Sequence, residues 1–305
     1  MGKMSDALRR GGRGMPGPAA GEAPASQEPR PLKEREGQPD AHAPGQAARR
    51  TLHKPAAPSE RGGHMPAYVP PPSMRGELSE EQERLVSLYT PGSPQAKRVD
   101  ILRSQLLFPF HGEPPRTIMI TSAVPREGRS LLTANLAVSF ARGLQQFVMV
   151  MDCHLTEPVI NELFKIPRHP GLTDFLEHGA SVPDIIHRTG VDKLTVIPAG
   201  TPSQRSAEIL ATDKMAGLLH ELRARYRDRY IILDTPPVQA FDDPAVLARL
   251  VEGIVFVVRA GATDRELALR ALRALPEEKI VGVVLNDVHS AVVDAQAVGG
   301  SELEA

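Results

Sequence analysis

Short apolar runs recur along the second part of the chain: TIMIT (117–121), FVMVM (147–151), LTVIP (194–198), YIILD (230–234), GIVFVV (253–258) and KIVGVVL (279–285). They are rich in Val and Ile, and nearly continuous apolar runs of this length predict strands buried on both faces. Longer segments with helical spacing lie between most of them, including LLTANLAVSFARG, MAGLLHELRARYR and RELALRALRAL. The alternation predicts an α/β fold, a largely parallel sheet with helices on both faces. A sheet of that kind binds ligands at the carboxyl ends of its strands. Upstream, LSEEQERLVSLY predicts a helix with acidic residues early, and AKRVDILRSQLLF predicts another after the TPGSP break.

The pattern stops before about residue 76. Residues 1–75 hold 13 Pro and 10 Gly but only four Leu, Ile, Val or Phe side chains: Leu8, Leu32, Leu52 and Val69. So few core-forming groups cannot offset the entropy of ordering the chain, which predicts a disordered Pro/Gly/Arg-rich region. Its 12 Lys/Arg against 7 Asp/Glu make it mildly basic. That balance is compatible with an anionic membrane surface or nucleic acid, although the composition reads first as a solvated tether, and no nucleic-acid partner is expected. The expected organisation is 1–75 disordered, 76–290 folded and 291–305 a flexible tail without tyrosine.

One cysteine, Cys153, excludes an internal disulfide framework and agrees with a reducing compartment. No apolar run approaches the roughly 18 to 20 residues of a membrane helix, and MGKMSDALRR is not followed by a signal-peptide hydrophobic region. A cytoplasmic protein is expected.

The chemistry concentrates where TIMITS meets LLTANLAVSFARG. Between them, Ala123 to Ser130 (AVPREGRS) follows the eight-residue frame of a phosphate loop, G/A-x-x-x-x-G-K-S/T, with Gly128 and Ser130 in place. In such a loop the backbone N–H groups and the helix N-terminus hold phosphates, and the hydroxyl reaches magnesium. The candidate cofactor-binding positions are Ala123, Glu127, Gly128, Arg129, Ser130 and Leu131. Arg129 stands where the lysine belongs, so the charge is kept but a planar fork replaces a compact ammonium. By itself the loop also reads as a tight strand-to-helix turn.

Two strand-end carboxylates bear on that choice. Asp152 ends VMVMD and Asp234 ends YIILD, so both can face one crevice beside Gly128. With Ser130 they form a candidate magnesium set, and they are the candidate catalytic residues. Either aspartate alone reads equally as a helix cap.

These stretches resemble the cytosolic bacterial tyrosine kinases, or BY-kinases, of exopolysaccharide synthesis and export, which belong to the MinD/ParA class of P-loop ATPases. The resemblance runs from about Lys97 to Val288 and is carried by ITSAVPREGRS, VMVMDCHLTEPVINELFKIPRHPGLTDFLEHG, LTVIPAGTPSQRSAEIL, ELRARYRDRYIILDTPPV and DDPAVLARLVEGIVFVVRAGATDRE. It implies a P-loop NTPase fold, ATP or ADP with Mg2+, a homo-oligomer, and a partner in the cytoplasmic segment of a membrane polysaccharide co-polymerase that recruits the protein to the inner face of the membrane. It also implies that Asn286, in VVLND, contacts the nucleotide base; a turn or cap role fits the residue equally. The partitioning ATPases carry a signature lysine where this chain has Val124.

The chain departs from the family at four places. Where the family has D-x-D-L-R, this chain reads Asp152, Cys153, His154, Leu155, Thr156. An imidazole in place of a carboxylate changes the charge near hydrated magnesium by at least one unit. The phosphate-loop lysine is Arg129, and the tyrosine-rich tail is not seen, the tyrosines being Tyr68, Tyr89, Tyr226 and Tyr230. Finally, the family's E-x-x-R-x-x-R assembly pattern corresponds to Lys97, Asp100 and Arg103, with two of the three charges inverted. Three functions follow as expectations: a regulatory member with weak or lost kinase activity, an active autokinase, or a MinD/ParA-like positioning ATPase.

Overall fold

A computed structural model describes residues 78–288; the expected segments 1–75 and 291–305 lie outside them. The strands are β1 (Thr117–Ser122), β2 (Phe147–Asp152), β3 (His187–Arg188), β4 (Leu194–Ile197), β5 (Arg229–Asp234), β6 (Gly253–Arg259) and β7 (Ile280–Asn286). The helices are α1 (Glu80–Glu83), α2 (Val86–Tyr89), α3 (Pro94–Leu107), α4 (Arg129–Arg142), α5 (Ile160–Leu163), α6 (Leu172–His178), α7 (Ser206–Leu210), α8 (Asp213–Arg225), α9 (Asp243–Leu247) and α10 (Arg265–Arg273).

One seven-stranded sheet runs β3-β4-β2-β5-β1-β6-β7. Every pairing is parallel except β3 with β4, where His187 faces Val196 in antiparallel register. The α/β expectation holds, while the two-residue β3 is too short to leave a sequence signal.

The strands alternate their side chains between two cores, as a pleated strand must. Met119, Met149, Met151, Ile231, Leu233, Ile254 and Phe256 pack on one face against α8 and α10. Ile118, Ile120, Val148, Val150, Ile232, Val255 and Val257 pack on the other against α4 and Leu85 and Leu88. Burial on both faces is why β1, β2, β5 and β6 are apolar at nearly every position instead of every second one; β7, at the sheet edge, is as apolar but leaves Val281, Val283 and Leu285 exposed, against the expectation from its sequence. Among the described residues no helix is long and apolar enough to cross a membrane.

The segment LSEEQERLVSLY is not one helix but two short ones, α1 and α2. Asn135 on α4 is the cause: its amide Nδ2 donates to the Arg84 carbonyl at 3.0 Å, and its Oδ1 accepts from Ser87 N–H at 2.9 Å. Those are backbone groups that a continuous helix would use internally. Breaking the helix lets Leu85 and Leu88 both reach the α4 core, where each is fully buried.

The three α3 charges at the positions of the assembly pattern do not all face outward. Arg103 Nη1 donates to the Ser139 carbonyl on α4 at 2.6 Å, and the Ser139 hydroxyl donates to Asp100. Asp100 and Arg103 therefore dock α3 on α4, and of the three positions only Lys97 is exposed.

Candidate nucleotide site

The loop from Ala123 to Gly128 leaves β1 at the carboxyl edge of the sheet and enters α4, a helix of 14 residues. Gly128 sits at φ 85°, ψ 16°, the left-handed region, and a Cβ there would lie 2.2 Å from Asn286 Nδ2. Only glycine meets both demands. The first intrahelical bond of the turn is Leu132 N–H to the Gly128 carbonyl at 2.9 Å. The N–H groups of Arg129, Ser130 and Leu131 thus face the mouth of the loop, positioned as a phosphate cradle.

Glu127 has a role its sequence position did not reveal. Its side chain is 1% exposed and accepts from Val124 N–H at 2.8 Å, Arg259 N–H at 3.2 Å and the Thr263 hydroxyl. One carboxylate thereby ties the loop to its own start and to the end of β6. Asn286, the last residue of β7, donates Nδ2 to the Glu127 carbonyl at 2.9 Å, which fixes the loop from the other side. Part of that amide is committed to the loop, and its carbonyl oxygen is what it retains as an acceptor.

Asp152 and Asp234 are register partners across β2 and β5, both fully buried. Asp152 accepts from His154 N–H at 3.1 Å on one oxygen and from Ile160 N–H at 3.2 Å on the other. Burial, reinforced by Asp234, pushes its pKa up to about 8 despite these bonds and the charge of Arg129. Asp234 is also raised by burial, against the pull of Arg129 and hydrogen bonds from Ser130 and Thr133. Thr133 Oγ1 lies 3.3 Å from Asp234 Oδ1, while Asp234 Oδ2 is buried with no partner.

Arg129 is where the structure adds most. Its side chain is 7% exposed and turned inward; Nε donates to the Thr235 carbonyl at 2.5 Å, and Nη2 lies 3.0 Å from His154 Nδ1. A guanidinium can only donate, so Nδ1 is the acceptor and the ring proton is on Nε2. Burial and the Arg129 charge push the His154 pKa down to about 4, so the ring is neutral at pH 7. Its Nε2 is buried without a partner, and Phe241 meets the ring edge-on at 5.6 Å. The two departures from the family pattern, read as separate losses in the sequence, are one contact. Cys153 is fully buried with its thiol pKa pushed well up by burial and by the carboxylates, so it is no nucleophile.

For magnesium the donor set is thin. Both Asp152 oxygens accept backbone N–H groups, the second carboxylate position is a histidine occupied by Arg129, and the described residues contain no group of three or more acidic, His or Cys side chains able to hold an ion. Ser130 and the unpartnered Asp234 Oδ2 remain. The backbone donors at the start of α4 suit a phosphate group; the residues around them suit a tightly held divalent ion poorly, with a fixed guanidinium in their midst.

No protein-family model matches the chain. Among curated proteins it is similar to the tyrosine-protein kinase YwqD of Bacillus subtilis, 30% identical over 210 residues, covering 68% of this chain and 87% of that one. It is also similar to the succinoglycan biosynthesis transport protein ExoP of Rhizobium meliloti, 32% identical over 180 residues, 57% of this chain and 22% of ExoP. Among solved structures, the kinase domain of the Escherichia coli tyrosine kinase ETK superposes with a TM-score of 0.63 at 27% identity, covering 67% of this chain and 80% of that domain. With the phosphate loop, the two strand-end aspartates and the sheet order on one scaffold, the chain belongs to the bacterial tyrosine kinases, the BY-kinases.

Proposed function

We propose that this protein is a nucleotide-binding BY-kinase relative of exopolysaccharide production whose phosphoryl-transfer activity is weak or lost, and which acts by binding a partner. The observation that carries this reading is the Arg129 side chain, spent on the Thr235 carbonyl and His154. Phosphoryl transfer depends on positioning and charge stabilisation, and here the cation that would lie along the terminal phosphates is held by protein acceptors. The cradle of Gly128, Arg129, Ser130 and Leu131 backbone groups supports retention of ATP or ADP at reduced affinity. Ser130 and Asp234 are the protein ligands left for any accompanying magnesium. The name of ExoP, a succinoglycan biosynthesis transport protein, supports an exopolysaccharide setting, and the partner of choice is the cytoplasmic segment of a membrane polysaccharide co-polymerase, which would bring a cytoplasmic protein to the membrane.

A working ATPase and autokinase is the second reading, favoured by the intact glycine geometry and by Asp152 and Asp234 side by side. ATP hydrolysis by the parent and by the double variant Arg129→Lys/His154→Asp separates the two. The first reading expects measurable nucleotide binding, little turnover in the parent and a clear rise in the double variant. A parent that hydrolyses ATP as fast as the repaired variant is a competent enzyme.

A further inference from the structure

In P-loop proteins the divalent ion offsets phosphate charge and links the phosphate loop to the carboxylates across the crevice. In this chain a side chain already spans that gap. Arg129 starts on the first turn of α4, crosses to the Thr235 carbonyl just beyond β5, and reaches His154 just beyond β2. It is nearly enclosed, and its positive charge acts on both Asp152 and Asp234. Two of its five N–H donors are used in these bonds.

The rest of the neighbourhood is adapted to that side chain. His154, where the family pattern has a carboxylate, offers Arg129 a neutral acceptor and adds no negative charge to attract a metal. Two buried polar atoms at the same edge remain without partners: His154 Nε2, which carries the proton, and Asp234 Oδ2. A donor and an acceptor left open on adjoining strand ends suit a polar ligand with its water, and do not by themselves require an ion.

Resting on the reading that the loop binds nucleotide, we propose that Arg129 is a built-in cation standing in for the divalent metal, so that the site takes a nucleoside diphosphate without requiring magnesium. The diphosphate is specified by what the loop keeps and what it lacks. Backbone N–H groups cradle the phosphates nearest the nucleoside, whereas the lysine that reaches the terminal one is replaced by a side chain already engaged. The terminal phosphate of ATP therefore gains little here, and ADP and ATP bind with similar affinity.

The test is a calorimetric titration of the full chain with ADP, once in excess EDTA and once in excess magnesium, repeated with ATP. The expected result is that magnesium changes the ADP dissociation constant by less than about threefold, and that ATP lies within about threefold of ADP. Tightening of ADP by magnesium beyond that threshold overturns the proposal. Binding in neither condition removes the nucleotide reading itself, a different outcome from binding that needs the metal. In Arg129→Lys/His154→Asp, with the strut removed and the carboxylate restored, magnesium should tighten ADP by about tenfold or more. A folded double variant with parent-like indifference to magnesium would show that Arg129 is not the cause. Should the double variant fail to unfold cooperatively, the parent titrations still decide.

Discussion

Arg129 and His154, on the first turn of α4 and just beyond β2, meet at 3.0 Å inside the crevice where the family pattern places a lysine and an aspartate. Either change alone reads as damage. Together they replace one electrostatic arrangement with another: a charged donor satisfied by a neutral acceptor and a backbone carbonyl. Since the contact is buried, removing one partner strands the other, and the two positions should not behave independently.

Arg129→Lys should destabilise the fold by about 1–3 kcal/mol, because an ammonium cannot span the Thr235 carbonyl and His154 Nδ1 as the planar fork does. For a domain of this size that is a melting shift of about 2–4 °C per kcal/mol. In a double-mutant cycle with His154→Asp, the coupling energy should reach about 0.5–3 kcal/mol. Effects that simply add would mean that the contact contributes nothing.

The sequence revealed the architecture, and the crevice in which the candidate residues converge, for a physical reason. Strands buried on both faces must be apolar throughout, and a phosphate loop needs glycine at one left-handed position, so TIMITS and Gly128 both carried strong local signals. Asp152 and Asp234 were legible because strand-end carboxylates follow from topology. The rest depends on which way a long side chain turns. Arg129 could point outward to phosphate or inward to Thr235, and nothing within a few residues of it decides. Glu127 read as a cofactor-binding position of the loop, and its bracing role stayed hidden because its partners Arg259 and Thr263 lie over 130 residues away. Asn135 likewise breaks the predicted α1–α2 helix from 48 residues away.

Glu127→Ala should open the phosphate loop. It would leave the Val124 N–H without its acceptor, at a cost of about 1–3 kcal/mol if it stays buried, and leave the Arg259 N–H with the Thr263 hydroxyl alone. Faster amide exchange at Val124 and Arg259, with exchange in the β2 core unchanged, is the expected signature. Unaltered exchange at both amides would show that the carboxylate is not the brace.

Gly128→Ala combines an unfavourable left-handed φ with a Cβ 2.2 Å from Asn286 Nδ2. It should abolish measurable nucleotide binding and lower stability by roughly 1–3 kcal/mol. Adding Asn286→Ala removes the clash but not the backbone strain, so it should recover only part of the stability, as read by denaturant midpoints. Full recovery would put the whole cost on the side-chain contact.

Stability should respond to pH through opposed groups, His154 on one side and Asp152 with Asp234 on the other. His154 has its pKa pushed from 6.5 to about 4, by burial and then by Arg129. Between those values the unfolded chain holds a proton that the folded chain lacks, so this contribution to stability shrinks as pH falls. Asp152 has its pKa raised from 3.8 to about 8, by burial and then by Asp234. Across that range the folded chain holds the extra proton, so this contribution shrinks as pH rises, and Asp234, raised in the same direction, adds to it. From about pH 4 to 6.5 the slopes offset one another; from about 6.5 to 8 only the carboxyl slope remains, and stability should decline. Denaturant unfolding of the metal-free protein across this range checks the shape, and Asp152→Asn sharpens it. The variant should lose the Asp152 share of the decline above pH 6.5, leaving that of Asp234, and below it the histidine slope should be opposed by Asp234 alone. A parent whose stability climbs steadily toward pH 8 would mean that Asp152 is ionised in the folded protein, and that Arg129 outweighs the burial of the carboxylates.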